Sequence, residues 1–371
     1  MKAQFLAAFL IAVPLLAACR DDAPAGEEPS PLVKEILASE GSEARLILNG
    51  YRKAPSSGDI YIIGTAEGCA PISNAFLECD VFDNVRGLPR PDALKDFAGE
   101  NFCTVEDRLY APYDSLAANE LRDAVVRMAL ASLDTHCSAG VYDVDGRLEK
   151  SAAKILVLAD PHYYLYGQFD VDTLFSRTAC AVKTVSPQAL LMEAAFGGEK
   201  KSFNIGILCD SLYARSGLYT SIFRKGAESY GIVGASCFES PVRSHDRALF
   251  DLLDAYSASG RNVPLDAILI DDYRLSAAEV RAQMEVLWDY SREESMQYNN
   301  LLAPGCRLFH SSDLTMQRCY ETMREMNLFT HRIAMPSASA FVITAKPGSE
   351  GDEGCLLIPG ALFQNDTDVQ D

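Results

Sequence analysis

The stretch FNIGILCD, residues 203–210, is a short apolar run that ends in a carboxylate. Its apolar residues do not alternate with polar ones, which is typical of a strand covered on both faces in a parallel sheet. The same pattern occurs in KILVLAD (154–160), YGIVGASCF (230–238), LDAILIDDY (265–273) and GCRLFHSS (305–312). These runs predict parallel strands from about residue 154 onward.

Amphipathic helices are predicted between the runs. Ser186 and Pro187 form a helix start, with a side-chain cap and a proline at the first helical position, and Gly197 ends that helix. Ser276 and Glu279 have the spacing of a capping box before a second helix. Strands that alternate with helices in this way predict an α/β fold of two lobes, each with a doubly wound parallel sheet.

The first half of the chain has a less regular pattern. Residues 43–51 and 59–69 are interpreted as strands, 115–133 as a helix, and 70–101 as an irregular insert. The predicted first lobe covers 43–185 and the second covers 186–345. The C-terminal segment, 346–371, is expected either to cross back to the first lobe or to be disordered.

The amino terminus has the features of an export signal. A basic start is followed by an apolar run that ends in Leu16-Ala17-Ala18-Cys19, which resembles the lipobox of bacterial lipoproteins. We therefore expect a signal peptide over 1–18, acylation of Cys19 and a flexible acidic tether over 19–42. An ordinary signal peptide with a chance cysteine is the alternative. The protein is predicted to lie in the cell envelope, anchored by lipid to the outer membrane. Both the periplasmic face and the outer face of that membrane are consistent with the sequence.

Charge and cysteine content exclude several classes of function. The formal net charge is −19, which repels nucleic acid, so no nucleic-acid partner is predicted. The chain has 11 cysteines, but no pair has the C-x₂-C spacing of a zinc or redox site. No cofactor and no metal are predicted. One to three disulfides are expected, whereas Cys209 and Cys237 lie in apolar runs where a cysteine acts as a small core residue.

Polar residues follow several of the predicted strands. Ligands of open α/β sheets bind at the carboxyl ends of the strands, so these residues are the candidate ligand site. They are Asp271, Asp272, Tyr273, Asp210, Ser211, His162, Tyr163 and Tyr164. Asp160, Tyr213, Thr65 and Glu67 occupy equivalent positions after strands. For each of these residues, the alternative role is to cap the next helix or to solvate a loop. No catalytic residue is predicted, because the sequence contains no strong catalytic motif.

Residues 178–231, from TACAVKTVSP to FRKGAESYG, resemble type I periplasmic binding proteins, and among these the basic membrane lipoprotein group. The similarity covers roughly 150–345. It implies two lobes that close on a small polar ligand, nucleoside-like or sugar-like, with a transport permease or another envelope component as partner. The predicted function is therefore a lipid-anchored solute-binding protein. A surface α/β hydrolase that uses carboxylates, and a surface interaction lipoprotein without a small ligand, are the alternatives.

Overall fold

Two parallel β-sheets with helices packed on their faces form the fold, which is of the α/β class. The computed structural model describes residues 27–84, 87–88, 90–214, 216–289, 293–298, 300–348 and 355–361. The strands are β1 (Asp59–Gly64), β2 (Asn101–Asp107), β3 (His136–Ser138), β4 (Arg147–Glu149), β5 (Ala153–Leu158), β6 (Lys183–Val185), β7 (Asn204–Cys209), β8 (Ser236–Pro241), β9 (Leu265–Asp271), β10 (Leu302–His310), β11 (Ser337–Ala345) and β12 (Cys355–Pro359).

The helices alternate with these strands along most of the chain. They are α1 (Pro31–Ala38), α2 (Glu43–Asn49), α3 (Ala66–Glu78), α4 (Ala118–Leu133), α5 (Pro161–Tyr166), α6 (Gln168–Thr178), α7 (Pro187–Phe196), α8 (Leu218–Ser229), α9 (Ala248–Ala258), α10 (Ala277–Trp288), α11 (Glu293–Tyr298) and α12 (Ser311–Glu325). A short 3₁₀ helix, Tyr113–Ser115, precedes α4.

The first sheet has the strand order β12-β11-β2-β1-β5-β6, and the second has the order β10-β9-β7-β8. All neighbouring pairs in these two sheets are parallel except β11 and β12. In the second sheet, Ile270 of β9 lies opposite Leu208 of β7 and His310 of β10. The carboxyl ends of β7, β9 and β10 therefore meet at one edge.

The central strands of each sheet, β1 and β5 in the first and β7 and β9 in the second, are buried on both faces. In β1, Tyr61 and Ile63 pack on the face that carries α4, whereas Ile60 and Ile62 pack on the face that carries α3 and α12. All six residues of β1 are buried. This burial explains the absence of alternation in the apolar runs, because a strand covered on both faces needs apolar side chains at every position.

The strands predicted at 154–160, 203–210, 265–273 and 305–312 are confirmed as β5, β7, β9 and β10. The run at 230–238 is only partly a strand, since β8 begins at Ser236. The caps are confirmed as well: Ser186 accepts a hydrogen bond from the Ala189 amide, and Ser276 forms a capping box with Glu279.

The chain returns to the first sheet earlier than predicted. β11 pairs with β2 over seven residues, from Ser337 opposite Asn101 to Ile343 opposite Asp107, although the predicted second lobe extends to residue 345. The residues Ser337–Ala340 are exposed, so this half of the strand lacks the apolar pattern that identifies a buried strand. Main-chain hydrogen bonds to β2 hold this half of the strand in place, and residues of any type can form such bonds.

Three predictions for the first half are wrong in detail. Residues 43–51 do not form a strand: Glu43–Asn49 is the helix α2, because Ser42 caps it and only Leu48 is buried. Helix α1 lies within the predicted flexible tether, with Val33 and Ile36 buried. The predicted insert at 70–101 begins with the second half of α3, whose amino end is capped by Thr65.

Buried thiols take the place of the expected disulfides. Cys69, Cys79, Cys103, Cys209 and Cys319 are buried free thiols. Burial raises the pKa of the Cys69 and Cys209 thiols, which keeps them protonated and unreactive. Within the residues that the structure describes, no helix combines the length and the apolar composition needed to cross a membrane.

Candidate functional site

A small pocket lies where the carboxyl ends of the two sheets meet. Its volume is about 40 Å³. From the first sheet it is lined by Glu67, Gly68, Pro71, Ala159 and Pro161, and from α7 and the second sheet by Gln188, Asp210, Tyr213, Tyr219, Asp271, Asp272, Tyr273 and Arg274. Both sheets contribute the residues that directly follow their strands, which is where open α/β sheets bind ligands.

Asp271, the last residue of β9, is a buried carboxylate of the pocket. It is 5% exposed, and its Oδ2 accepts hydrogen bonds from Gln188 Nε2 at 2.9 Å and from the Tyr219 hydroxyl at 2.7 Å. Burial raises the pKa of the Asp271 carboxyl above its ordinary value, although hydrogen bonds from Ser311, Gln188 and Tyr219 oppose the increase. A buried carboxyl of this kind can hold a proton and donate it.

Arg274 is the basic residue among the pocket-lining residues that the structure describes. It donates to both oxygens of Asp272, from Nε at 3.0 Å and from Nη2 at 2.9 Å. The same Nη2 lies 2.9 Å from Oδ2 of Asp210. The guanidinium therefore joins the segments after β7 and β9, while its side chain stays 54% exposed at the mouth of the pocket.

A second polar group connects the first sheet to the pocket. Asp160, which follows β5, is fully buried. Its Oδ1 lies 2.8 Å from His162 Nδ1, and its Oδ2 accepts a hydrogen bond of 2.9 Å from the Tyr213 hydroxyl. Tyr213 belongs to the segment after β7, so this bond ties the two sheets together beside the pocket.

His162 lies between two carboxylates. Its Nε2 is 3.3 Å from Asp114 Oδ1, on the side of the ring opposite Asp160. Burial alone would lower the pKa of His162, but the hydrogen bonds and charges of Asp160 and Asp114 outweigh it and raise the pKa above its ordinary value. The imidazole is therefore held in its protonated form over a wider pH range than a free histidine.

Glu67 and Gln188 provide further acceptor atoms to the pocket. Glu67 lies in the first turn of α3 and is exposed. Gln188 is 1% exposed, and its Oε1 has no hydrogen-bond partner among the residues that the structure describes. A buried amide oxygen without a partner costs roughly 1–3 kcal/mol. This cost indicates a position that a hydrogen-bond donor on a ligand would satisfy.

The structure brings four of the eight predicted ligand residues into the pocket: Asp210, Asp271, Asp272 and Tyr273. Ser211 is exposed beside Asp210, and its hydroxyl lies 3.4 Å from Asp210 Oδ1. His162 contacts Asp160 behind the pocket wall.

Two of the three predicted tyrosines, Tyr163 and Tyr164, lie in the interior and do not line the pocket. Tyr163 is 1% exposed and its hydroxyl lies 2.6 Å from that of Tyr113. Tyr164 packs in the apolar core between α5 and α8, and its carbonyl accepts a hydrogen bond from Lys225. Both side chains follow β5 in sequence, but α5 turns them inward.

Sequence reasoning missed Gln188, Tyr219 and Arg274. Gln188 and Tyr219 lie in the first turns of α7 and α8, so their positions after a strand end were a usable signal. Arg274 directly follows the predicted group Asp271, Asp272 and Tyr273. Its contact with both Asp210 and Asp272 depends on the distance between the ends of β7 and β9, which sequence spacing does not reveal.

Comparisons with known proteins give structural neighbours only. No family model matches the chain, and no curated protein matches it in sequence. The glutamate racemase isoform RacE1 of Bacillus anthracis has a TM-score of 0.46 and 14% identity, covering 78% of this chain and 90% of that protein. The glutamate racemase of Campylobacter jejuni has a TM-score of 0.39 and 14% identity, with 84% and 97% covered. An aspartate racemase homologue of Pyrococcus horikoshii has a TM-score of 0.34 and 11% identity, with 72% and 99% covered.

These findings contradict the resemblance to type I periplasmic binding proteins, because the neighbours found are glutamate and aspartate racemases. The predicted solute-binding function is wrong, and the surface hydrolase and the interaction lipoprotein do not fit either. The classification as an outer-membrane lipoprotein finds no support among these proteins. Alternating strands and helices are common to many two-sheet α/β folds, so the periodicity could not identify a family.

At TM-scores below 0.5, the likeness carries no activity over to this chain. Cys19 and the predicted signal peptide lie outside the described residues, and the envelope location stays a prediction. In the described part of the chain, no group of three or more His, Cys, Asp or Glu residues is placed to hold a metal ion.

The environment of His162 predicts a pH dependence of stability. Because the pKa of His162 is raised in the folded state, its ion pairs stabilise the fold fully below about pH 6.5, the ordinary histidine value, and that contribution is lost as the pH rises through the folded pKa. Urea denaturation should therefore show a stability difference between wild type and His162→Asn that shrinks from pH 6 to pH 9. A constant difference would contradict the ion pairs.

Proposed function

We propose that the chain is an enzyme that moves a proton at a carbon atom of a small substrate, a reaction of the racemase or epimerase type. One observation carries the proposal: two carboxylates, Asp271 at the end of β9 and Glu67 in α3, line the same pocket. Inversion at a carbon requires an acid on one face of the substrate and a base on the other.

The environments of the two carboxylates suit these two roles. Asp271 is buried, its pKa is raised, and it can hold the proton that the substrate receives. Glu67 lies in the first turn of a helix, where the helix dipole favours a negative charge. A buried carboxyl and an exposed carboxyl in one pocket can serve as the acid and the base.

The charges of the pocket favour a substrate that donates hydrogen bonds. Asp210, Asp272 and the amide oxygen of Gln188 are acceptors. The hydroxyls of Tyr213 and Tyr219 already donate to Asp160 and Asp271. An ammonium group satisfies such a set of acceptors, and the exposed guanidinium of Arg274 provides a partner for a carboxylate. The substrate class is therefore a small amino acid or a related amine.

Substrate entry requires movement of the pocket wall. A cavity needs roughly 10–15 Å³ to hold one water molecule. A pocket of about 40 Å³ therefore holds only a few atoms of a substrate.

Chiral chromatography tests the proposal. The purified chain is incubated with single enantiomers of the common amino acids, and the mirror-image form is measured over time. We expect its appearance for at least one small polar amino acid. The absence of inversion for every amino acid, with a folded protein confirmed by circular dichroism, would contradict the proposal.

A further inference from the structure

We propose that Tyr213, Asp160, His162 and Asp114 form a proton relay that connects the pocket with solvent. The relay rests on the proposed function in one respect, the identity of the pocket group that delivers the proton. The contacts that form the relay do not depend on which substrate the pocket binds.

The four side chains form an unbroken series of contacts. Tyr213 lines the pocket, and its hydroxyl donates to Asp160 Oδ2 at 2.9 Å. Asp160 Oδ1 lies 2.8 Å from His162 Nδ1, and His162 Nε2 lies 3.3 Å from Asp114 Oδ1. The first three are buried or half-buried, whereas the Asp114 side chain is 74% exposed. The series therefore begins at the pocket and ends in water.

Proton transfer along the series balances without any other reactant. A pocket group gives its proton to the oxygen of Tyr213, while the original hydroxyl proton of Tyr213 passes to Asp160 Oδ2. Asp160 becomes neutral and no longer stabilises the positive charge of His162. The Nε2–H bond of His162 then breaks, and its proton passes to Asp114 and on to water. One proton enters at the pocket, one leaves at the surface, and the net charge of the four side chains stays constant.

The surroundings favour a concerted transfer. Burial raises the pKa of the Tyr213 hydroxyl, so a free tyrosinate is disfavoured and the hydroxyl must gain one proton as it loses the other. The His162 amide also donates to Asp160 Oδ1, at 2.9 Å, which fixes the carboxylate between its two partners. The pair of Asp160 and His162 is thereby held in the geometry that the transfer requires.

The groups that face His162 are the carboxylates Asp160 and Asp114 and the rings of Tyr113 and Tyr213. The ring centroids of Tyr113 and Tyr213 lie 5.4 Å and 5.9 Å from that of His162. The hydroxyl of Tyr113 is turned away, since it donates to Asp107 Oδ2. The protonation of His162 is therefore governed by the two carboxylates that belong to the relay.

Nuclear magnetic resonance tests the relay without a substrate. Histidine nitrogens and tyrosine Cζ atoms are labelled, and the signals of His162 and Tyr213 are assigned with His162→Asn and Tyr213→Phe. We expect the Tyr213 Cζ signal to shift with pH at the same midpoint as His162, because both side chains bond the same carboxylate. In Asp160→Asn, the His162 midpoint should fall by about one pH unit or more, and the Tyr213 signal should lose this pH dependence.

Asp172→Asn is the control, because Asp172 is a half-buried carboxylate of α6 that accepts a hydrogen bond from the Thr184 hydroxyl, away from the relay. It should leave the His162 midpoint unchanged. A Tyr213 signal that stays constant while His162 titrates would overturn the relay, as would an unchanged midpoint in Asp160→Asn. The wild-type comparison needs no variant, so it decides the matter even if Asp160→Asn does not fold. Coupled titration without amino-acid inversion would overturn the proposed reaction alone, whereas inversion without coupled titration would overturn the relay alone.

Discussion

Asp271→Asn is expected to reduce the rate of amino-acid inversion by about 100-fold to 10,000-fold, the usual contribution of a positioned acid or base. The substitution keeps the shape of the side chain and an oxygen that can accept from Gln188 and Tyr219. It removes the carboxyl proton that the proposed reaction transfers. The initial rate of mirror-image formation, measured by chiral chromatography, checks the prediction.

The matched control is Asp266→Asn, near the opposite end of the same strand. Asp266 Oδ2 accepts hydrogen bonds from the amides of Phe203 and Asn204, far along β9 from the pocket. This variant should keep the wild-type rate. If both variants lose activity equally, the loss reflects damage to β9, and Asp271 is not the acid. An Asp271→Asn variant with the wild-type rate would also show that Asp271 is not the acid.

Lys154→Met is expected to destabilise the fold by about 3–5 kcal/mol, because it leaves a buried carboxylate without its cation. Lys154 of β5 and Glu100, which precedes β2, form an ion pair in which both side chains are 0% exposed. Lys154 Nζ also donates to the Leu328 carbonyl at 3.1 Å, and Glu100 Oε1 accepts from the Thr330 amide at 2.8 Å. The pair therefore ties the segment that leads back to β11 to the first sheet.

Urea denaturation measures this loss as a lower midpoint at an unchanged slope. Arg318→Met is the control, because Arg318 and Glu193 form a pair that is 43% and 50% exposed, and exposed pairs contribute only about 0–1 kcal/mol. The double variant Lys154→Met with Glu100→Gln should recover part of the loss, because the unpaired charge is gone. Equal effects of Lys154→Met and Arg318→Met would show that the buried pair does not hold the return segment.

The second sheet could be predicted from the sequence because its strands are buried on both faces. The apolar runs that end at Asp210 and Asp271 mark β7 and β9 directly, and the caps at Ser186 and Ser276 mark the helices that follow β6 and β9. In these segments the local pattern and the tertiary environment require the same residues. The fold class followed from that agreement.

The first sheet could be predicted only in part, because several of its elements are defined by distant contacts. β11 is recognisable only through its pairing with β2, and half of it is exposed. Ile47 favours a strand locally, yet residues 43–49 form a helix because Ser42 caps it and α2 packs on α4 and α6. Tertiary contacts overrode the local preference there.

The candidate site was predictable to the extent that it follows strand ends. Asp210, Asp271 and Asp272 were found because each lies at the end of an apolar run. Tyr163 and Tyr164 satisfy the same rule but point into the core, since a helix that begins right after a strand directs some of its first turn inward. The Asp160–Tyr213 bond joins residues 53 positions apart, and only the packing of the two sheets reveals it.

Deuterium exchange at the α-carbon tests the central claim, proton transfer in the pocket, most directly. Single amino-acid enantiomers are incubated in D₂O with wild type, Asp271→Asn and Asp266→Asn, and the Cα proton signal is followed by nuclear magnetic resonance. We expect wild type and Asp266→Asn to remove this signal for at least one amino acid, and Asp271→Asn to do so at least about 100-fold more slowly. A Cα proton signal that persists with folded wild-type protein for every amino acid would contradict proton transfer in the pocket.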